Sequence, residues 1–172
     1  AITVGSLSMS GSAAITSTGT SSLSVSGTST LVGSVTTSSS QTYSGDVTLG
    51  ANTTLSGSTI TTNGTVAGAT YSLTISGNAV FGNAAADTLT GLSTLSVSGT
   101  TNTLTNTVTS SGTQTYSGAL TLNADTTLTT TNSNAVFNGT VNSVSTTPYA
   151  LTLNLGSGTL VFGDGTADTD RK

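Results

Sequence analysis

The chain has no cysteine, no histidine and no tryptophan, a single proline (Pro148), and two basic residues, Arg171 and Lys172, at its end. Each gap closes off a class of protein. Without cysteine there is neither a disulfide framework nor thiolate chemistry, and the same lack suits a chain that crosses a membrane unfolded. Without histidine there is no imidazole base, so a serine nucleophile would have only aspartate to activate it. Glutamate is missing too: the six acidic residues are Asp46, Asp87, Asp125, Asp164, Asp168 and Asp170. A net charge of -4 with so little basic surface excludes nucleic acid as a partner, because phosphate binding needs lysine and arginine. No apolar run approaches the roughly 18 residues of a spanning helix, so membrane insertion is not expected, and no charged-then-apolar signal segment opens the chain. The start at Ala1 without methionine reads as a mature or excised piece of a longer polypeptide. This inventory leads us to expect no enzymatic activity, no cofactor and no metal.

What fills the chain instead is threonine and serine, about four residues in ten, with 21 glycines. Only 33% of the residues are hydrophobic and 5% charged. Low hydrophobicity of this kind signals disorder when high charge or abundant proline accompanies it; here neither does, and the apolar residues are regularly placed. Short runs such as Ile2-Thr3-Val4, Leu23-Ser24-Val25, Leu73-Thr74-Ile75 and Leu120-Thr121-Leu122 put apolar side chains on one face of a strand and hydroxyls on the other. Turn signals follow about every 6 to 12 residues. Threonine and valine are stiff at their first side-chain torsion, and serine and asparagine compete for backbone hydrogen bonds, so helix is disfavoured throughout. The aspartates fall mostly at presumed turns, where Asp tolerates unusual backbone angles.

The pattern is also duplicated. Residues 40–49 read SQTYSGDVTL and residues 113–122 read TQTYSGALTL, 73 positions later. Leu23-Ser24-Val25-Ser26-Gly27-Thr28 returns as Leu95-Ser96-Val97-Ser98-Gly99-Thr100, Asn63-Gly64-Thr65-Val66 as Asn138-Gly139-Thr140-Val141, and Val80-Phe81-Gly82 as Val161-Phe162-Gly163. The offset drifts from 72 to 81 along the copy, as stacked units do when their corners vary and their strands stay put. Residues 1–172 therefore read as one segment of about two imperfect copies, roughly 20–92 and 93–165, with partial copies at the ends.

Two all-β architectures fit this spacing. Tandem immunoglobulin-like β-sandwiches would take about 75 residues per copy. A parallel β-solenoid would coil the chain into rungs of about 20 residues, about eight deep and about 40 Å long at the usual strand spacing. The strands are shorter than the 5 to 6 residues usual in a sandwich, no hinge separates the copies, and 4% aromatic content is too little for a sandwich core. The solenoid is the expected fold, with Thr and Ser in outward ladders and open strand edges at both ends that would let identical copies stack.

The QTYSG(D/A)(V/L)TL block resembles the repeats of bacterial filamentous haemagglutinin-like adhesins, as do the (A/D)(N/D)TTL stretch at residues 51–55 and 124–128, the NGTV turn and the VFG that closes each copy. The resemblance spans about residues 20–165. It implies a right-handed parallel β-helix within a large exoprotein of the two-partner secretion type. The role it implies is a shaft or filament segment at the bacterial surface, serving adhesion or biofilm contact, with no enzymatic activity.

Candidate sites are few. Asp164, Asp168 and Asp170, with Gly163 and Gly165, could bring oxygen ligands toward calcium, but their spacing fits neither an EF-hand nor a calcium-binding β-roll and reads as a polar terminus. Tyr43, Tyr71, Tyr116 and Tyr149 would form a sugar-stacking stripe if they shared a face, which makes surface glycans a candidate partner; otherwise they cover the core at strand ends with wet hydroxyls. The triplets at 28–30, 101–103, 105–107 and 129–131 do not recur at a constant rung spacing and read as ordinary β-propensity. Asn52-Thr53-Thr54, Asn63-Gly64-Thr65 and Asn138-Gly139-Thr140 match the N-glycosylation acceptor pattern.

Overall fold

The structure, a computed structural model, describes residues 1–163 apart from 12, 18, 20, 104 and 145–147. Every strand pairing in it is parallel and joins stretches about one turn apart in sequence, 18 residues between Leu23 and Gln41 and 25 between Leu128 and Leu153. The chain is an all-β, right-handed parallel β-helix. The sandwich alternative is excluded: among the described residues every strand pairing is parallel and no antiparallel sheets face each other.

Each turn has three sides. On the first face Ile2, Leu23, Gln41, Ile60, Ala79, Thr101, Leu120 and Val141 stand one above another in register. On the second the column is Leu7, Ser29, Val47, Val66, Leu89, Val108, Leu128 and Leu153. On the third it is Ile15, Val35, Leu55, Ile75, Val97, Tyr116, Phe137 and Phe162. Eight levels therefore stack, and their seven steps of about 4.8 Å span about 34 Å. The long strand Val47–Thr62 shows how a turn is made: it pairs along the second face at Val47, along the third at Thr53–Ser56 and along the first at Thr59–Thr62.

Most of the three-residue strands alternate in, out, in, as at Leu23–Val25, Leu95–Val97 and Leu120–Leu122. Two aliphatic side chains per stretch thus enter a narrow interior, where the same columns one turn away cover them. One column ends in aromatic rings. Tyr116 lies 5.4 Å from Phe137 at 10° between ring planes, and Phe137 lies 5.5 Å from Phe162 at 29°. Backbones touch where the coil turns its corners. A Cβ on Gly45 would lie 2.6 Å from the Gly27 carbonyl carbon, and one on Gly118 would lie 2.5 Å from the Gly99 carbonyl oxygen, which is why the motif reads QTYSG in both copies.

The duplication is out of phase with the turns. From Gln41 the first column climbs three levels to Thr101, and the chain then crosses two further faces before reaching Gln114–Tyr116 on the third. Three turns of three stretches plus two make eleven. The other landmarks move by the same eleven stretches: Leu23–Val25 on the first face becomes Leu95–Val97 on the third, and Val66 on the second becomes Val141 on the first. Each motif reappears one face over, so the three faces offer equivalent environments.

Polar side chains do enter the core. Thr62 and Thr101 point inward from the first face, and their hydroxyl oxygens have no hydrogen-bond partner, as is also true of Ser29. An unsatisfied buried hydroxyl costs about 1–3 kcal/mol, while a methyl group of the same shape costs nothing comparable. Thr62→Val and Thr101→Val should each raise the unfolding free energy by about 1 kcal/mol in denaturant titrations, whereas Thr126→Val, which removes bonded contacts to the Thr105 and Ala124 carbonyls, should lower it.

Candidate functional site

The repeated motif builds a buried latch. The chain has only two glutamines, Gln41 and Gln114, and both are wholly buried at the start of a three-residue strand. Gln41 Nε2 donates to the Val35 carbonyl at 2.9 Å and to the Ser56 carbonyl at 2.8 Å, bridging two successive turns of the neighbouring face. Residues two apart on a strand share a side, so Tyr43 lies beside it and donates its hydroxyl to Gln41 Oε1 at 2.9 Å. The second copy repeats each bond 73 residues on. Gln114 Nε2 donates to Val108 O at 3.3 Å and Thr129 O at 3.0 Å, and Tyr116 Oη to Gln114 Oε1 at 3.1 Å. The two glutamines thus close a corner from inside, and their tyrosines fill the core.

This corrects the tyrosine readings. Tyr43 and Tyr116 are 0% exposed and their hydroxyls are dry, so neither belongs to a sugar-stacking stripe. Tyr149 is half-buried against the core cluster, and Tyr71 alone of the four is exposed, at 36%. Burial pushes the Tyr43 and Tyr116 phenols well above the ordinary tyrosine range.

The aspartates act through their oxygens and not through unusual backbone angles, for none of the described ones has a positive φ. Asp46 Oδ1 accepts the Thr65 amide at 3.0 Å and Asp125 Oδ1 the Ala150 amide at 2.8 Å, each one turn up. Asn52, Asn78, Asn132 and Asn134 do the same for Ser72, Thr100, Ser157 and Thr159. Asp87 differs, gathering the amides of Asn83 and Ala84 into a local loop. Asp164, Asp168 and Asp170, the candidate cation ligands, lie outside the described residues. Among the described residues no three side chains of metal-ligating type come together.

The threonine triplets divide. Thr101, Thr103 and Thr105 are buried, while Thr107 and Thr129 face out. The outward rows that do align come from other spacings, with Thr88, Thr107, Thr127 and Thr152 in one register line on the second face. Of the acceptor asparagines, Asn52 and Asn138 are exposed and Asn63 is half-buried. No family model, no curated protein and no solved structure matches the chain.

Removing part of the latch strands the rest. Gln114→Leu leaves the Tyr116 hydroxyl unpartnered in the core and takes a side-chain donor from the Val108 and Thr129 carbonyls; it should cost about 2–4 kcal/mol, while Tyr116→Phe should cost about 1–2. The double variant should cost less than the sum, in a double-mutant cycle by denaturant unfolding. Because the folded phenols are raised above their unfolded value, the stability they carry is intact below about pH 10 and is lost as pH rises further. Absorbance titration should show Tyr43 and Tyr116 un-ionised beyond that pH until the chain unfolds.

Proposed function

We propose that this chain is a non-enzymatic shaft segment of a secreted bacterial surface adhesin or extracellular filament of the haemagglutinin-like type, supplying length and stiffness for adhesion or biofilm contact. The observation that carries the reading is where the repeated residues go. Gln41, Gly45 and Asn52 and their counterparts Gln114, Gly118 and Asp125 bond or pack against a neighbouring turn, and Tyr43 and Tyr116 hold the two glutamines from the same strand. Duplication has therefore propagated the parts that extend the coil. The eleven-stretch offset agrees with this role, because a shaft needs no motif to recur on a given side.

One copy should add eleven stretches, three and two-thirds turns, or about 18 Å at about 4.8 Å per turn. Inserting a second copy of residues 41–113 should lengthen the particle by that amount in small-angle scattering, with its cross-section unchanged. Within the adhesin, exchange of residues 23–162 for an unrelated rod of equal length should preserve adhesion, and an equal-length flexible linker should not. A particle that widens on duplication would contradict the shaft, and long uniform fibres in electron micrographs would put self-assembly of identical copies in its place.

A further inference from the structure

Four successive turns leave an open groove of about 550 Å3 where the second face bends into the third, lined among others by Ala14, Gly33, Ser34, Asn52, Thr54 and Tyr71. We propose that this groove binds a neutral saccharide, with the Tyr71 ring against a pyranose face and Ser34, Asn52 and Thr54 reaching its hydroxyls. None of the residues lining the groove is charged, which suits a neutral ligand. Tyr71 is the one tyrosine that presents its ring, and amphipathic rings with one wet end are the side chains suited to such a face. Asn52 spends its Oδ1 on the Ser72 amide, which fixes the side chain and leaves Nδ2 to donate. The floor stays hollow for a backbone reason: at Gly33, where φ is +70°, a Cβ would run into the Ala13 carbonyl.

The second copy supplies an internal comparison. Eleven stretches on, Tyr71 corresponds to Tyr149, Asn52 to Asp125, Gly33 to Asn106, Ser34 to Thr107, and Ala13 and Ala14 to Asp87 and Thr88. The Asn52 bond survives there as Asp125 Oδ1 to the Ala150 amide, so the corner is built the same way. Yet the small residues are replaced by larger ones, Ala13 by the carboxylate Asp87, while Asn52 gives way to the charged Asp125 and Tyr149 is half-buried against the core. The corner is built alike in both places, but only around Tyr71 is it lined by small, uncharged residues.

The test is titration of the whole chain with cellotetraose, maltotetraose and chitotetraose by NMR, beside a sulfated tetrasaccharide. At least one neutral sugar should bind with a dissociation constant of about 1 mM and shift resonances around Tyr71. Tyr71→Ala should weaken it at least about tenfold and Tyr149→Ala should leave it unchanged. Asn52→Asp keeps the Ser72 bond but loses the donor, and should weaken it about fivefold. Circular dichroism of each variant should match that of the parent chain, which checks that it remains folded. Absence of binding by all three neutral sugars, tighter binding of the sulfated one, or equal loss in Tyr71→Ala and Tyr149→Ala would overturn the proposal. None of these outcomes bears on particle length, on which the shaft reading stands.

Discussion

In this molecule an inward side chain is covered by its own column. Among the described residues no second sheet and no helix packs against it, so the residue in register one turn above and the one below, with what the other two faces send in, must exclude water. That requirement explains why the strands stay parallel and in register through eight levels, why two aliphatic residues per stretch suffice, and why so little aromatic bulk is used. It also explains the glycines. Turns held about 4.8 Å apart leave no room for a Cβ where corner backbones abut, as at Gly45 on Gly27 and Gly118 on Gly99.

The same constraint makes a buried polar group either a fastener or a fault. Gln41 and Gln114 are fasteners: each reaches carbonyls of two successive turns, and its tyrosine neighbour consumes the remaining acceptor. Thr62 and Thr101, by contrast, bury hydroxyls with no partner. Outside, asparagine and aspartate oxygens catch amides one turn up. The charge on an aspartate matters less here than its acceptor geometry, which is why Asn52 and Asp125 are interchangeable between copies.

Much of this could be read from the residues. Alternation at Leu73-Thr74-Ile75 gave the strands, brevity of the runs gave the coil, and the QTYSG pair gave the duplication. Three things could not be read that way. The number of sides per turn depends on where corners bend, and the corner at Ser56–Thr59 lies inside one unbroken strand. The one-face rotation of the copies needs that number and so stayed hidden. The dry tyrosine hydroxyls were within reach: Gln-x-Tyr places both side chains on one side of a strand, and a lone glutamine beside a repeated tyrosine was the signal. The outward threonine rows were missed because they are defined by register across loops of unequal length, not by spacing along the chain.

The central claim is that neighbours in space are residues one turn apart, and that the two copies do not lie side by side. Ser96 and Thr115 face outward in register on the third face, about 4.8 Å apart and within the span a disulfide can bridge. In a chain with no native cysteine, Ser96→Cys with Thr115→Cys should cross-link readily on mild oxidation without loss of fold. Thr42→Cys with Thr115→Cys, the pair that the duplication relates, should remain reduced within the monomer, since those positions lie on different faces three levels apart. Efficient intramolecular closure of the Thr42–Thr115 pair, with none at Ser96–Thr115, would contradict the coil.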